Sequence, residues 1–136
     1  LPAHTRKSLA EAMEATKHNT GLVLTFALNY GSRAEIIQAT QKIAQAVQAG
    51  ELRVEDITEQ TMNEALMTAS LPEPELLIRT SGEVRLSNFM LWQLAYTEFF
   101  FTDVNWPDFS EEHLLEAVES FQGRDRRFGG LKGGEA

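Results

Sequence analysis

The spacing of apolar positions changes several times along the 136-residue chain. Over residues 5–19, Leu9, Ala12, Met13 and Thr16 recur at helical spacing, and Gly21 supplies a stop. Residues 21–31, "GLVLTFALNYG", form a continuous apolar run rich in β-formers and bracketed by glycines. That is the pattern of a strand buried on both faces in a parallel sheet. The segment "SRAEIIQATQKIAQAVQAG" returns to a helical period. Ser32 offers a cap, Ile36, Ile37, Thr40, Ile43, Ala44 and Val47 make an apolar face, and Gly50 ends it. A shorter helix is expected in "VEDITEQTMNEALMTASLPEPE", with Thr61-x-x-Glu64 as a capping box and Pro72 and Pro74 closing the segment. "ELLIRT" reads as a second short buried strand, "SNFMLWQLAY" as a helix capped by Ser87, and "TEFFFTDVNW" as a third strand. A closing helix follows in "SEEHLLEAVESFQGRDRRFGG", with Leu114, Leu115, Val118 and Phe121 on one face before a Gly-rich basic tail.

The order α-β-α-α-β-α-β-α predicts an α/β fold with a mostly parallel sheet flanked by helices. Three strands are fewer than the about five or six of a typical sheet. The shortfall leaves an edge that has to be paired or covered. The chain also starts without an initiator Met and enters a helical pattern almost at once. No repeat, low-complexity tract or linker divides it. Residues 1–136 are therefore expected to be the C-terminal part of one domain, with further strands upstream.

Composition narrows the chemistry. Twelve Lys and Arg against 20 Asp and Glu give a net charge of −8, which opposes general nucleic-acid binding but leaves room for one local basic pocket. The absence of cysteine removes disulfides, thiol catalysis and thiolate metal sites, and suits a reducing cytosol. No apolar run reaches the roughly 18 to 20 residues of a membrane span. The N-terminus lacks the charged start and apolar stretch of a signal peptide.

Against that acidic background, "RTSGEVRLSNF" stands out. Arg79 closes an expected strand, so its side chain starts from the carboxyl rim, where parallel sheets bind ligands. Arg85 follows across a turn built on Ser81 and Gly82, and Ser87 and Asn88 open the next expected helix. Two guanidiniums, a hydroxyl and a helix N-terminus suit a phosphate or diphosphate. The alternative is that both arginines pair with surface carboxylates such as Glu83 or Glu75.

Glu98, at the start of the third expected strand, could ligate Mg²⁺ beside a diphosphate, or could be a solvated strand-end carboxylate. "NYGSR", residues 29–33, repeats the strand–turn–helix layout but reads by default as a local turn and cap. Arg124, Arg126 and Arg127 form either a charged helix end or a basic tail that folds over an anion. His4, His18 and His113 read as surface residues. Phe89, Trp92, Tyr96, Phe99, Phe100 and Phe101 read as core, and Trp106-Pro107 as an exit turn.

"LLIRTSGEVRLSNFMLWQLAYTEFFFTDVNWPDF", with "FALNYGSRAEI" before it and "RDRRFGG" after it, closely resembles the cis-prenyltransferases. The match runs from about Gly21 to Gly130 and covers the C-terminal half or so of a family member. The resemblance implies a Mg²⁺-dependent, homodimeric, cytoplasmic transferase, at most peripheral at the inner face of the membrane. Such an enzyme adds isopentenyl diphosphate units to an allylic diphosphate, farnesyl diphosphate being expected, with cis geometry. The product is the lipid carrier of cell-wall synthesis. Arg79, Arg85 and Ser87 would hold the diphosphate of isopentenyl diphosphate, and Glu98 would help bind Mg²⁺. Arg127 and Gly129 would reach the partner subunit's site through the Arg-x-Gly motif. One departure is Ser32, where Gly is usual in the family. The other is the absence of the Asp-Gly-Asn-x-Arg-Trp segment with its catalytic Asp, so this chain would hold no catalytic residue and would be inactive alone. The alternatives are a non-catalytic partner subunit and a generic phosphate-binding α/β domain.

Overall fold

The computed structural model describes residues 1–123. In chain order its elements are α1 (Ala3–Thr16), α2 (Ser32–Gln48), α3 (Glu59–Ala65), β1 (Leu76–Arg79), β2 (Glu98–Phe101) and α4 (Glu111–Gln122). Short 3-10 turns lie at Val54–Asp56 and Trp106–Asp108, the latter at the expected exit turn. β1 and β2 are parallel, with Leu76 opposite Glu98 and Arg79 opposite Phe101. The α/β class and the parallel sheet are as expected.

The strand count is not. Among the described residues the sheet has two strands, because residues 21–31 form no ladder. Leu22 is 93% exposed and Phe26 64%. The apolar run reports a preference for extended backbone, but a strand also needs a neighbour to take its N–H and C=O groups, and no described segment does so. α1 forms close to its expected span, yet none of its residues is buried among the described ones.

α2 keeps its span, but its inward face is rotated from the expected one. Ser32, Glu35 and Ala39 are buried; of the expected face, Ile36, Ile43 and Val47 are half-buried, whereas Ile37, Thr40 and Ala44 are exposed. The inward stripe at 32, 35, 39 and 43 is still a helical spacing. It runs through a carboxylate that hydrophobic patterning passes over. α3 is capped three positions earlier than Thr61-x-x-Glu64 suggests. Thr58 is the N-cap, Thr61 N–H donates to its Oγ1 at 3.3 Å, and Thr58 N–H donates to Thr61 Oγ1 at 3.1 Å.

The expected helix over "SNFMLWQLAY" is absent. Ser87, Asn88 and Met90 have φ of 49°, 62° and 46°, left-handed values that L-residues do not propagate into an α-helix. Isolated turns replace it, such as Leu94 N–H to Met90 O at 3.0 Å. The aromatic residues are correspondingly less buried than expected: Trp92, Tyr96 and Phe101 are exposed, and Phe89, Phe99 and Phe100 half-buried. α4 matches its expected span and packs on β2, but its buried residue is Ala117, while Leu114 and Leu115 stay exposed. His113 is more than a surface residue. Its Nδ1 accepts Ser110 N–H at 3.0 Å, which closes the N-terminal turn of α4.

Candidate anion-binding site

Arg79 ends β1 at the carboxyl edge of the ladder, as the pattern "LLIR" predicts. Thr102 N–H donates to Arg79 O at 3.0 Å, and the chain then turns through Ser81 and Gly82, both at φ 66°. Ser81 N–H reaches Val104 O at 2.8 Å and Gly82 N–H reaches Thr102 O at 2.9 Å, so the turn is laced to the segment leaving β2. Glycine suits position 82 on two counts: its φ is left-handed, and an added Cβ would lie 3.0 Å from the Asp103 side-chain oxygen Oδ1, which would have to move.

A cleft of about 390 Å³ opens above this turn, lined among others by Arg79, Thr80, Ser81 and Glu83 over Leu86 and Phe89. Arg79 Nη2 donates to Ser87 Oγ at 3.3 Å, which brings two of the three expected ligands together. Arg85, on the same loop, forms an ion pair with Glu83, the pairing that the alternative reading anticipates. Exposed pairs of this kind contribute only about 0 to 1 kcal/mol. A dianionic or trianionic group could therefore compete for the guanidinium.

The helix dipole expected at Ser87 makes no contribution, since no helix starts there. The nearest helix N-terminus, that of α2, is already used. Ser32 N–H donates to Asn88 O at 2.8 Å and Arg33 N–H to Asn88 Oδ1 at 2.9 Å. "NYGSR" is thus a turn and a capped helix start, as its default reading holds. Glu98 lies at the other end of the ladder from Arg79, three residues along, about 10 Å at strand rise. Among the described residues no group of three or more His, Asp or Glu gathers to hold a metal ion. These residues alone do not fit a Mg²⁺ centre. Arg127 and Gly129 lie outside the described residues.

Beneath the loop is a polar cluster that the sequence reading did not find. Glu35, 2% exposed, accepts hydrogen bonds from Tyr30 Oη, from Met67 N–H at 2.9 Å, and from Gln93 Nε2 at 3.2 and 3.4 Å. Gln93 also reaches Thr68 Oγ1 at 3.0 Å, and its Oε1 is buried with no partner among the described residues. Burial and the Glu35 acceptor raise the Tyr30 phenol above its ordinary value. The one signal was local: a Glu placed i+3 from Ser32 on the stripe that turned inward.

Residues 1–129 match the family model described as putative undecaprenyl diphosphate synthase. The chain belongs to the cis-prenyltransferase family. An isoprenyl transferase of Bacillus thuringiensis subsp. konkukian is 63% identical over 131 residues, 96% of this chain and 51% of that protein. A Micrococcus luteus protein is 59% identical, over 96% of this chain and 53% of its own length; it is named ditrans,polycis-undecaprenyl-diphosphate synthase, (2E,6E)-farnesyl-diphosphate specific. Lavandulyl diphosphate synthase from Lavandula x intermedia, solved with dimethylallyl diphosphate, superposes with a TM-score of 0.90 at 44% identity, covering 95% of this chain and 56% of that one. The chain thus spans about half the length of the curated relatives it matches. As a cis-prenyltransferase chain, it carries the expected parallel ladder with Arg79 at its carboxyl rim.

Proposed function

We propose that this chain forms the isopentenyl-diphosphate side of a cis-prenyl transfer site, with Arg79, Arg85 and Ser87 as the diphosphate ligands. The observation that carries this reading is the convergence of Arg79 and Ser87 at 3.3 Å beside a cleft at the carboxyl end of β1, with Arg85 on the same loop. Guanidiniums bind diphosphate oxygens in a forked, charge-assisted geometry, and Ser87 adds a hydroxyl donor. The diphosphate of the incoming isopentenyl unit is retained in the product. These side chains accordingly orient a substrate and do not stabilise a leaving group, and their loss belongs in KM more than in kcat.

The allylic partner in this reading is farnesyl diphosphate, in line with the name of the Micrococcus luteus relative, and the product is the undecaprenyl lipid carrier. The protein would act as a homodimer in the cytoplasm, at most peripherally at the membrane. Arg127 and Gly129 would reach the partner's site. Mg²⁺ would supply charge neutralisation on the departing allylic diphosphate, with Glu98 as one oxygen ligand and the others from outside the described residues. The 136 residues alone, assayed with both diphosphates and Mg²⁺, are expected to form no product.

Arg85→Ala in the protein as the cell makes it tests the reading. Removing one charged partner from a buried ionic contact costs about 2 to 4 kcal/mol, so the KM for isopentenyl diphosphate should rise by roughly 30- to 900-fold. An unchanged KM would sink the assignment.

A further inference from the structure

We infer that Asn88 and Ser32 form a clasp that sets the position of Ser87, and through it the diphosphate loop; the inference rests on the diphosphate reading above. Its starting point is the backbone of residues 87–90, where three non-glycine residues hold left-handed φ values. Such conformations persist only where surrounding contacts over-determine them. Here the bonds made by Asn88, with one from nearby Leu91, fall on the first turn of α2. Asn88 O accepts Ser32 N–H at 2.8 Å, Asn88 Oδ1 accepts Arg33 N–H at 2.9 Å, and Leu91 N–H donates to Ser32 Oγ at 2.9 Å.

Asn88 therefore caps a helix that starts 56 positions before it in the chain. Its carbonyl and its side-chain oxygen satisfy N–H groups that an α-helix leaves free at its start. Gly31 makes the approach possible, because a Cβ there would sit 3.0 Å from Asn88 Nδ2. Ser32 is fully buried, so its hydroxyl has no solvent to compete for the Leu91 N–H. Where a glycine occupied position 32, as the family resemblance leads one to expect, that side-chain acceptor would be missing. Ser87 immediately precedes Asn88, and its Oγ is the acceptor of the Arg79 guanidinium. Releasing the clasp would let the loop leave its left-handed turns and carry Ser87 away from Arg79. Asn88 and Ser32 are positioning residues in this account, since neither needs to touch the substrate.

Two variants separate the contributions. Asn88→Gly tolerates the positive φ but removes the Oδ1 acceptor, and Ser32→Ala removes the acceptor of Leu91 N–H. In the protein as the cell makes it, each should raise the KM for isopentenyl diphosphate about tenfold, the scale of one lost hydrogen bond, with kcat and the allylic KM within about twofold. Thermal melting of each variant fixes an assay temperature at which both stay folded. Should Asn88→Gly fail to fold, Ser32→Ala carries the same test. An unchanged isopentenyl diphosphate KM in the folded variants overturns the clasp. So does an equal rise in both KM values, or a fall in kcat alone, which would mark general loosening. Arg79→Ala and Arg85→Ala run in parallel: if they leave this KM unchanged, the diphosphate reading fails and the clasp with it. If they raise it while the clasp variants do not, only the clasp fails.

Discussion

Replacing Glu35 tests whether the polar cluster under the loop holds the fold together. Its carboxylate is 2% exposed and accepts from three groups: the Tyr30 phenol, Met67 N–H and the Gln93 amide. Hydrogen bonds to a charged acceptor contribute about 1.5 to 3 kcal/mol each, but they share one carboxylate and do not add fully. Part of the gain is also offset by the desolvation of the charge itself. Glu35→Ala strands the Met67 N–H and the Gln93 amide in a buried site, and we expect a loss of about 3 to 5 kcal/mol. Glu35→Gln is expected to cost much less. Its carbonyl can keep the Met67 N–H, and Gln93 can turn over to offer the Oε1 that now has no partner among the described residues. The cost should be about 1 kcal/mol. Urea denaturation reads both, as a fall in midpoint at constant slope. An alanine variant within about 1 kcal/mol of wild type, or a glutamine variant as unstable as the alanine one, would refute the reasoning.

Tyr30→Phe should remove an alkaline transition: the folded phenol titrates above its ordinary value of 10.0 because of burial and the Glu35 bond. The stability this contributes is fully present below the unfolded value and is lost as pH rises through the higher folded one, so melting temperature against pH should fall above about 10 in wild type and less in the variant. Gly82→Ala meets both a left-handed φ and Asp103 Oδ1, and should lower stability by about 1 to 2 kcal/mol, read by calorimetry, with a raised KM for isopentenyl diphosphate. Thr58→Ala removes the N-cap of α3 and should cost about 1 kcal/mol in the same measurement, with that KM unchanged.

What the sequence made legible depends on how local the cause was. α2, α4, β1 and β2 are set by period, caps and short apolar runs, and they form close to where those signals place them. Arg79 could be put at the ladder's carboxyl rim because a strand end is a local feature. Residues 21–31 show the limit from one side: apolar content describes the residues and not the neighbour that would complete a ladder. Residues 87–96 show it from the other. A helical spacing of apolar groups is present, but the contacts of Asn88 with Ser32 and Arg33 pull the backbone into left-handed turns. Those partners lie 55 and 56 positions away, beyond any window of periodicity. Glu35 was missed for a related reason, since a Glu on an amphipathic helix ordinarily faces water unless distant donors reach it. The geometry of the candidate site was half legible. Arg79, Ser87 and the turn between them follow from strand, glycine and loop. The separation of Glu98 from Arg79 follows from the ladder's register.

The central claim is that Arg79, Arg85 and Ser87 hold the diphosphate of the incoming isopentenyl unit. Calorimetric titration of isopentenyl diphosphate into the protein as the cell makes it, with Arg79→Ala and Arg85→Ala in parallel, tests this most directly. The account predicts saturable binding by the wild type, weakened in each variant by about 2 to 4 kcal/mol, or roughly 30- to 900-fold in Kd. Wild-type affinity retained by both folded variants would contradict it.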